Sequence, residues 1–79
     1  RHRDMPEGSY TTKLFKKGVK KIAQKVGEEA VETIIEAVDN NNEDLVYEIS
    51  DLIYHLLVLM EHQGLTIADI EEELAQRHQ

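Results

Sequence analysis

A chain of 79 residues with a formal net charge of −7, 32% charged residues and no cysteine leaves room for one domain and excludes disulfide staples and thiolate metal sites. Its acidic balance argues against a general nucleic-acid binder, which needs a basic face. No apolar run is long enough to span a bilayer and nothing resembles a signal peptide, so no nucleic-acid or membrane partner is expected and the expected location is cytoplasmic.

Charge is uneven along the chain. Lys13, Lys16, Lys17, Lys20, Lys21 and Lys25 make the first 25 residues basic, and the chain from Gly27 onward is acidic. That asymmetry suits a site where a cation meets a polyphosphate, and equally suits two solvated helix faces of opposite sign. A core in so short a chain is marginal, burying roughly 60% of the unfolded surface. A bound metal or a partner subunit is therefore expected to add stability.

Residues 1–8 are polar, contain the only proline, Pro6, and read as a tail or linker ahead of a domain over 9–79. The start at Arg1 reads as that of an excised domain or a trimmed chain. Ser9 or Thr11 can cap a short helix that runs to Lys17 and ends at Gly18. From Val19 to about Asp39, apolar residues fall at Val19, Ile22, Ala23, Val26, Ala30, Ile34, Ala37 and Val38. These steps of three and four predict an amphipathic helix. Gly27 lies inside it, either as a tolerated glycine costing about 1 kcal/mol relative to alanine or as a point of close approach.

Asp39-Asn40-Asn41-Asn42 predicts a turn, followed by a helix from about Glu43 to Gln63. Its stretch from Leu52 to Met60 is interrupted only by Tyr54 and His55. A helix apolar on most faces is buried on most faces, and one layer of neighbours in this chain cannot cover it, so a second subunit is expected. Gly64 ends this helix. Thr66, with Asp69 three residues on, caps a last helix over Ile67–Arg77, whose Ile67, Ile70 and Leu74 are expected to face inward. The expected fold is all-α, a bundle of three to four helices per chain completed by dimerisation.

The acids carry the chemistry. Glu28, Glu29 and Glu32 share one helix face by their spacing of three and four, and Glu48 and Asp51 stand three apart on the next helix. A short turn makes the two helices antiparallel. Counting outward from it places Glu29 near Asp51 and Glu32 near Glu48. At about 4 Å and an effective dielectric near 20, each ionised pair would repel by about 4 kcal/mol. Raised pKa values or a cation relieve this. All-oxygen ligands select a hard ion, Mg²⁺ or alternatively Mn²⁺. The plainer alternative is a set of ordinary surface glutamates.

Gly27-Glu28-Glu29-Ala30-Val31-Glu32, followed after fifteen residues by Glu48-Ile49-Ser50-Asp51, resembles the EExxE…ExxD signature of MazG-like all-α nucleoside triphosphate pyrophosphohydrolases. Ser9-Tyr10-Thr11, Lys25-Val26-Gly27-Glu28-Glu29 and the run Asp51-Leu52-Ile53-Tyr54-His55-Leu56-Leu57-Val58-Leu59 are similar, more closely, to the phosphoribosyl-ATP pyrophosphohydrolases, from about Ser9 to His78. The resemblance implies hydrolysis of phosphoribosyl-ATP to phosphoribosyl-AMP and pyrophosphate, the second step of histidine biosynthesis. It also implies Mg²⁺ dependence, a homodimer or higher assembly, and a fused or adjacent phosphoribosyl-AMP cyclohydrolase.

Carried over residue by residue, the resemblance implies Glu29, Glu32, Glu48 and Asp51 as metal ligands. Glu28 matches the first acid of the motif, as a ligand or as the group that orients water. Water attacks the α–β phosphoanhydride, with Glu28 or Glu29 as the base. Lys25, one turn before Glu29, is the foremost phosphate-binding candidate, followed by Lys21, Lys13 and the hydroxyls of Ser9 and Thr11. Lys16 and Lys17 read as solvent-facing. His55, one turn after Asp51, and its neighbour Tyr54 either meet substrate, support a ligating acid, or belong to the core.

Three other readings share parts of this pattern. A di-iron carboxylate bundle needs Glu-x-x-His, but Leu52 and Leu59 occupy the positions three before His55 and His62. A house-cleaning nucleoside triphosphate pyrophosphohydrolase shares the acids and the bundle. A catalytically silent dimerisation module would show neither metal dependence nor sensitivity to Glu→Gln changes.

Overall fold

A computed structural model describes residues 7–78, with side chains from Gly8 onward. Four helices follow in order: α1 (Glu7–Lys17), α2 (Val19–Val38), α3 (Asn42–His62) and α4 (Ile67–Arg77). No strand occurs among the described residues. The all-α expectation holds.

The breaks between helices have local causes. Gly18 adopts φ 91°, a left-handed conformation that glycine enters without steric penalty, and its N–H bonds back to the carbonyls of Leu14 and Phe15 at 3.1 Å. The α2–α3 turn is tighter. Asn40 takes φ 61°, its N–H reaches the Ala37 carbonyl, and the N–H of Asn41 reaches the Glu36 carbonyl, both at 3.1 Å. This is a Schellman closure of α2. The Asn41 side chain then accepts from the N–H of Asp44 at 3.2 Å and so caps α3. One residue thus closes one helix and opens the next. Gly64 (φ 77°) closes α3 in the same way, with the Leu65 N–H on the Met60 carbonyl at 2.8 Å. The Thr66 N–H donates to the Asp69 carboxylate at 2.8 Å, as the capping-box reading requires.

The main packing is α2 against α3, with α1 laid on α2. Leu14, Ile22 and Val58 form the buried core, and Tyr10, Phe15, Tyr54 and Leu59 pack on it. Phe15 also packs at a tilt on His62, with ring centroids 5.2 Å apart, and His62 is half-buried.

Two expectations need correction. The first helix begins at Glu7, so Ser9 and Thr11 lie within α1 and are not its cap. The Thr12 hydroxyl already bonds the Gly8 carbonyl one turn back, at 2.7 Å. The rest of the expected tail, residues 1–6, lies outside the described residues. Second, Ile67, Ile70 and Leu74 of α4 do not face inward within this chain; they are 54%, 39% and 48% exposed. Helix α4 extends past the α2–α3 pair instead of folding onto it. The radius of gyration, 14.1 Å, exceeds the about 12 Å of a compact domain of this length.

Candidate metal centre

The antiparallel hairpin of α2 and α3 brings Glu29, Glu48 and Asp51 together, with one carboxylate oxygen from each lying within 4.8 Å of the others. The register follows from the turn. Glu29 has Asp51 as its strongest acidic neighbour, and Glu48 has Glu32, with which it shares a hydrogen bond. These are the two pairings that counting outward from the asparagine turn predicts.

The electrostatics are those of acids packed against one another, with Lys25 as a partial counter-charge. Glu29 is only 6% exposed. Burial first, then Asp51 and Glu32, push its carboxyl up to about 7, against a partial offset from Lys25. Glu48 also rises to about 7, through loss of solvent, the hydrogen bond with Glu32, and the charges of Glu32, Asp51 and Glu36. Oε1 of Glu29 and Oε1 of Glu48 are both buried without a hydrogen-bond partner. Buried carboxylate oxygens are costly unless protonated, hydrogen-bonded or bound to a cation. The trio can therefore hold a hard divalent ion.

The other predicted residues divide. Glu32 is exposed, on the rim of the cluster beside Glu48. Glu28 stands outside the trio, beside Lys25: it is exposed, accepts from Gln24 Nε2 at 2.8 Å and pairs with Lys25 Nζ at 3.5 Å. The Gln24 bond, and then Lys25, lower its pKa. For the Lys25 ammonium, burial opposes the charge, but Tyr10, Glu28 and Glu29 outweigh it and raise the pKa. Lys25, Lys21 and Lys13 line one groove with Lys17. Ser9 is exposed on the first turns of α1, and the Thr11 hydroxyl is hydrogen-bonded to Tyr54.

His55 is 2% exposed. Its Nδ1 bonds the main-chain carbonyl of Asp51 at 2.8 Å, so Nδ1 carries the proton and Nε2 is the acceptor. The Tyr10 hydroxyl donates to that Nε2 at 2.7 Å. Tyr10, His55 and Tyr54 also form a ring cluster with centroids 5.2–5.9 Å apart. Sequence reasoning singled out Ser9 and Thr11 and passed over Tyr10 between them. The available signal was its spacing of four from Leu14 on the buried face of α1. Lys17 was missed too, though Lys13, Lys17, Lys21 and Lys25 recur every four residues.

A family model described as phosphoribosyl-ATP pyrophosphohydrolase matches residues 1–78. A histidine biosynthesis bifunctional protein HisIE from Bacteroides thetaiotaomicron is 60% identical over 78 residues, 99% of this chain and 38% of that protein. The protein of the same name from Thermotoga maritima is 56% identical over 77 residues, 98% of this chain and 39% of that one. A phosphoribosyl-ATP pyrophosphatase from Clostridium acetobutylicum is 53% identical over 73 residues, 92% of this chain and 66% of that protein. The chain thus spans less than two fifths of these two bifunctional relatives.

Proposed function

This chain belongs to the phosphoribosyl-ATP pyrophosphohydrolase family, and on that premise we propose that it hydrolyses phosphoribosyl-ATP to phosphoribosyl-AMP and pyrophosphate. One observation carries the reading: two buried carboxylate oxygens, on Glu29 and Glu48, lack any partner and belong to a three-acid cluster across two helices. A cation satisfies those oxygens, and a pyrophosphohydrolase needs one.

Glu29, Glu48 and Asp51 would hold the ion, with Glu32 completing the shell from the rim. Mg²⁺ suits an all-oxygen set and leaves positions for substrate phosphates. Bound there, it supplies charge neutralisation at the phosphate oxygens. The protein's own groups do the rest. Lys25, one turn from Glu29, binds the phosphate chain and faces the charge that develops on the leaving pyrophosphate. Glu28 stands outside the trio, exposed and held by Gln24 and Lys25. It is the acid left to accept a proton from the attacking water.

The working unit in this proposal is a homodimer. Exposed apolar side chains run along α2 (Val31, Ile34, Ile35), α3 (Ile53, Leu57) and α4 (Ile67). Apolar surface on this scale marks an interface. A neighbouring phosphoribosyl-AMP cyclohydrolase unit, and with it the histidine pathway, is supported by the bifunctional relatives.

The test is pyrophosphate release from phosphoribosyl-ATP, set beside ATP and other common nucleoside triphosphates, with and without Mg²⁺. Preference for phosphoribosyl-ATP supports the reading. Equal or faster turnover of simple triphosphates transfers it to the house-cleaning class.

A further inference from the structure

A groove of about 260 Å³ runs between α1 and α2, lined by Tyr10, Lys13, Leu14, Lys17, Lys21 and Lys25. Four of its six lining residues are lysines and none is acidic, in a chain whose net charge is −7. Lys25 pairs with Glu28. Among the described residues, Lys13, Lys17 and Lys21 have no carboxylate within ion-pair distance. Like charges collected along one groove with no acid between them call for an anion.

The groove opens beside the acid cluster and leads away from it. Its near end holds Tyr10 and Lys25, both of which feel the charge of Glu29. Lys21 lies eight residues before Glu29 on α2, about 12 Å along the axis. Lys13 and Lys17 flank the far part from α1. Lys25 alone is within one turn of the carboxylates, where the scissile linkage must sit. Phosphoribosyl-ATP has two anionic ends, the triphosphate and the 5′-phosphate of its phosphoribosyl arm. The volume falls below the roughly 300–1,000 Å³ of sites that enclose a drug-sized ligand, so it suits one phosphorylated sugar rather than a whole nucleotide.

We propose that the groove of Lys13, Lys17 and Lys21 is a second phosphate site that binds the phosphoribosyl 5′-phosphate and so distinguishes phosphoribosyl-ATP from simple nucleoside triphosphates. The proposal rests on the substrate reading above. In it, the acids and Lys25 handle the linkage that breaks, and the three farther lysines anchor the end that does not react. Two such exposed charge contacts give a preference of roughly twofold to thirtyfold.

Calorimetry in Mg²⁺ with phosphoribosyl-AMP, AMP and inorganic pyrophosphate tests this on the whole chain. Wild type is expected to bind phosphoribosyl-AMP more tightly than AMP. Lys17→Gln/Lys21→Gln is expected to erase that preference while AMP and pyrophosphate bind as before, and Lys17→Arg/Lys21→Arg to retain it. Lys20→Gln, outside the groove, is the control and keeps the preference. Absence of the preference in wild type, or its survival in the Gln double variant, overturns the proposal. A fall in pyrophosphate affinity instead assigns the groove to the triphosphate end and also overturns it. Failure of wild type to release pyrophosphate from phosphoribosyl-ATP would defeat the hydrolytic reading separately, because these binding measurements do not depend on turnover.

Discussion

The hydroxyl of Tyr10 donates to Nε2 of His55 at 2.7 Å across 45 positions of the chain, while the opposite nitrogen of the same ring donates to the Asp51 carbonyl. This buried imidazole therefore ties α1 to the stretch of α3 that carries Asp51. Its tautomer is fixed by the two bonds.

Tyr10→Phe removes one of those bonds at a buried ring. The expected loss is about 1–3 kcal/mol, read as a lower midpoint in urea with an unchanged slope. Amide exchange should speed up in α1 more than in α2. A midpoint equal to wild type would show that the bond contributes nothing to docking α1.

Glu29→Gln and Asp51→Asn should abolish pyrophosphate release and leave the metal-free fold as stable as wild type, or more so. Each removes a charge from a crowd of like charges. Thermal melts in a chelator, paired with the release assay, separate the two effects. Normal activity in both variants would dismantle the metal-centre assignment.

The raised carboxyls also set a pH dependence. A glutamate at about 7 in the folded chain and near 4.5 when unfolded binds more protons folded than unfolded between those values. Stability from Glu29 and Glu48 is therefore present below about 4.5 and lost as pH rises towards and through about 7. The wild-type stability curve minus that of Glu29→Gln/Glu48→Gln should fall across this window. A flat difference would mean that both acids titrate normally.

Divalent metal should act in the opposite sense. Mg²⁺ binds the ionised trio, so its stabilisation should be larger at pH 8 than at pH 5 and should grow with the logarithm of its concentration. Asp51→Asn should lose most of the shift in melting temperature. The same shift in that variant would place the ion elsewhere.

Size in solution tests the assembly. Wild type should run at twice the chain mass, and Leu57→Asp, a change at a side chain 46% exposed in the single chain, should yield monomer with weaker cooperativity. A wild-type monomer that melts cooperatively would refute the dimer.

The breaks between helices were legible in the sequence because Gly18, Asn40, Asn41 and Gly64 each punctuate a clear periodicity, whereas the start of α1 at Glu7 was not. The acid pairings were legible because a short turn fixes the register. Three features were not. Adjacent residues on a helix diverge by about 100°, so the Glu28-Glu29 pair alone does not say which acid faces α3. The apolar spacing of α4 is the same whether its own chain or another covers it. The lysine repeat crosses the break at Gly18, which hides that Lys13 and Lys17 on α1 meet Lys21 and Lys25 on α2.

The doubly used Asn41 has a consequence for coordination. Because the end of α2 and the start of α3 share that residue, the turn behaves as a spacer of fixed length. Inserting a residue there would break the shared closure and cap at Asn41 and shift Glu48 and Asp51 out of register with Glu29. The number of residues in the turn is thus as much a part of the ion site as the carboxylates, though none of those residues would touch the ion.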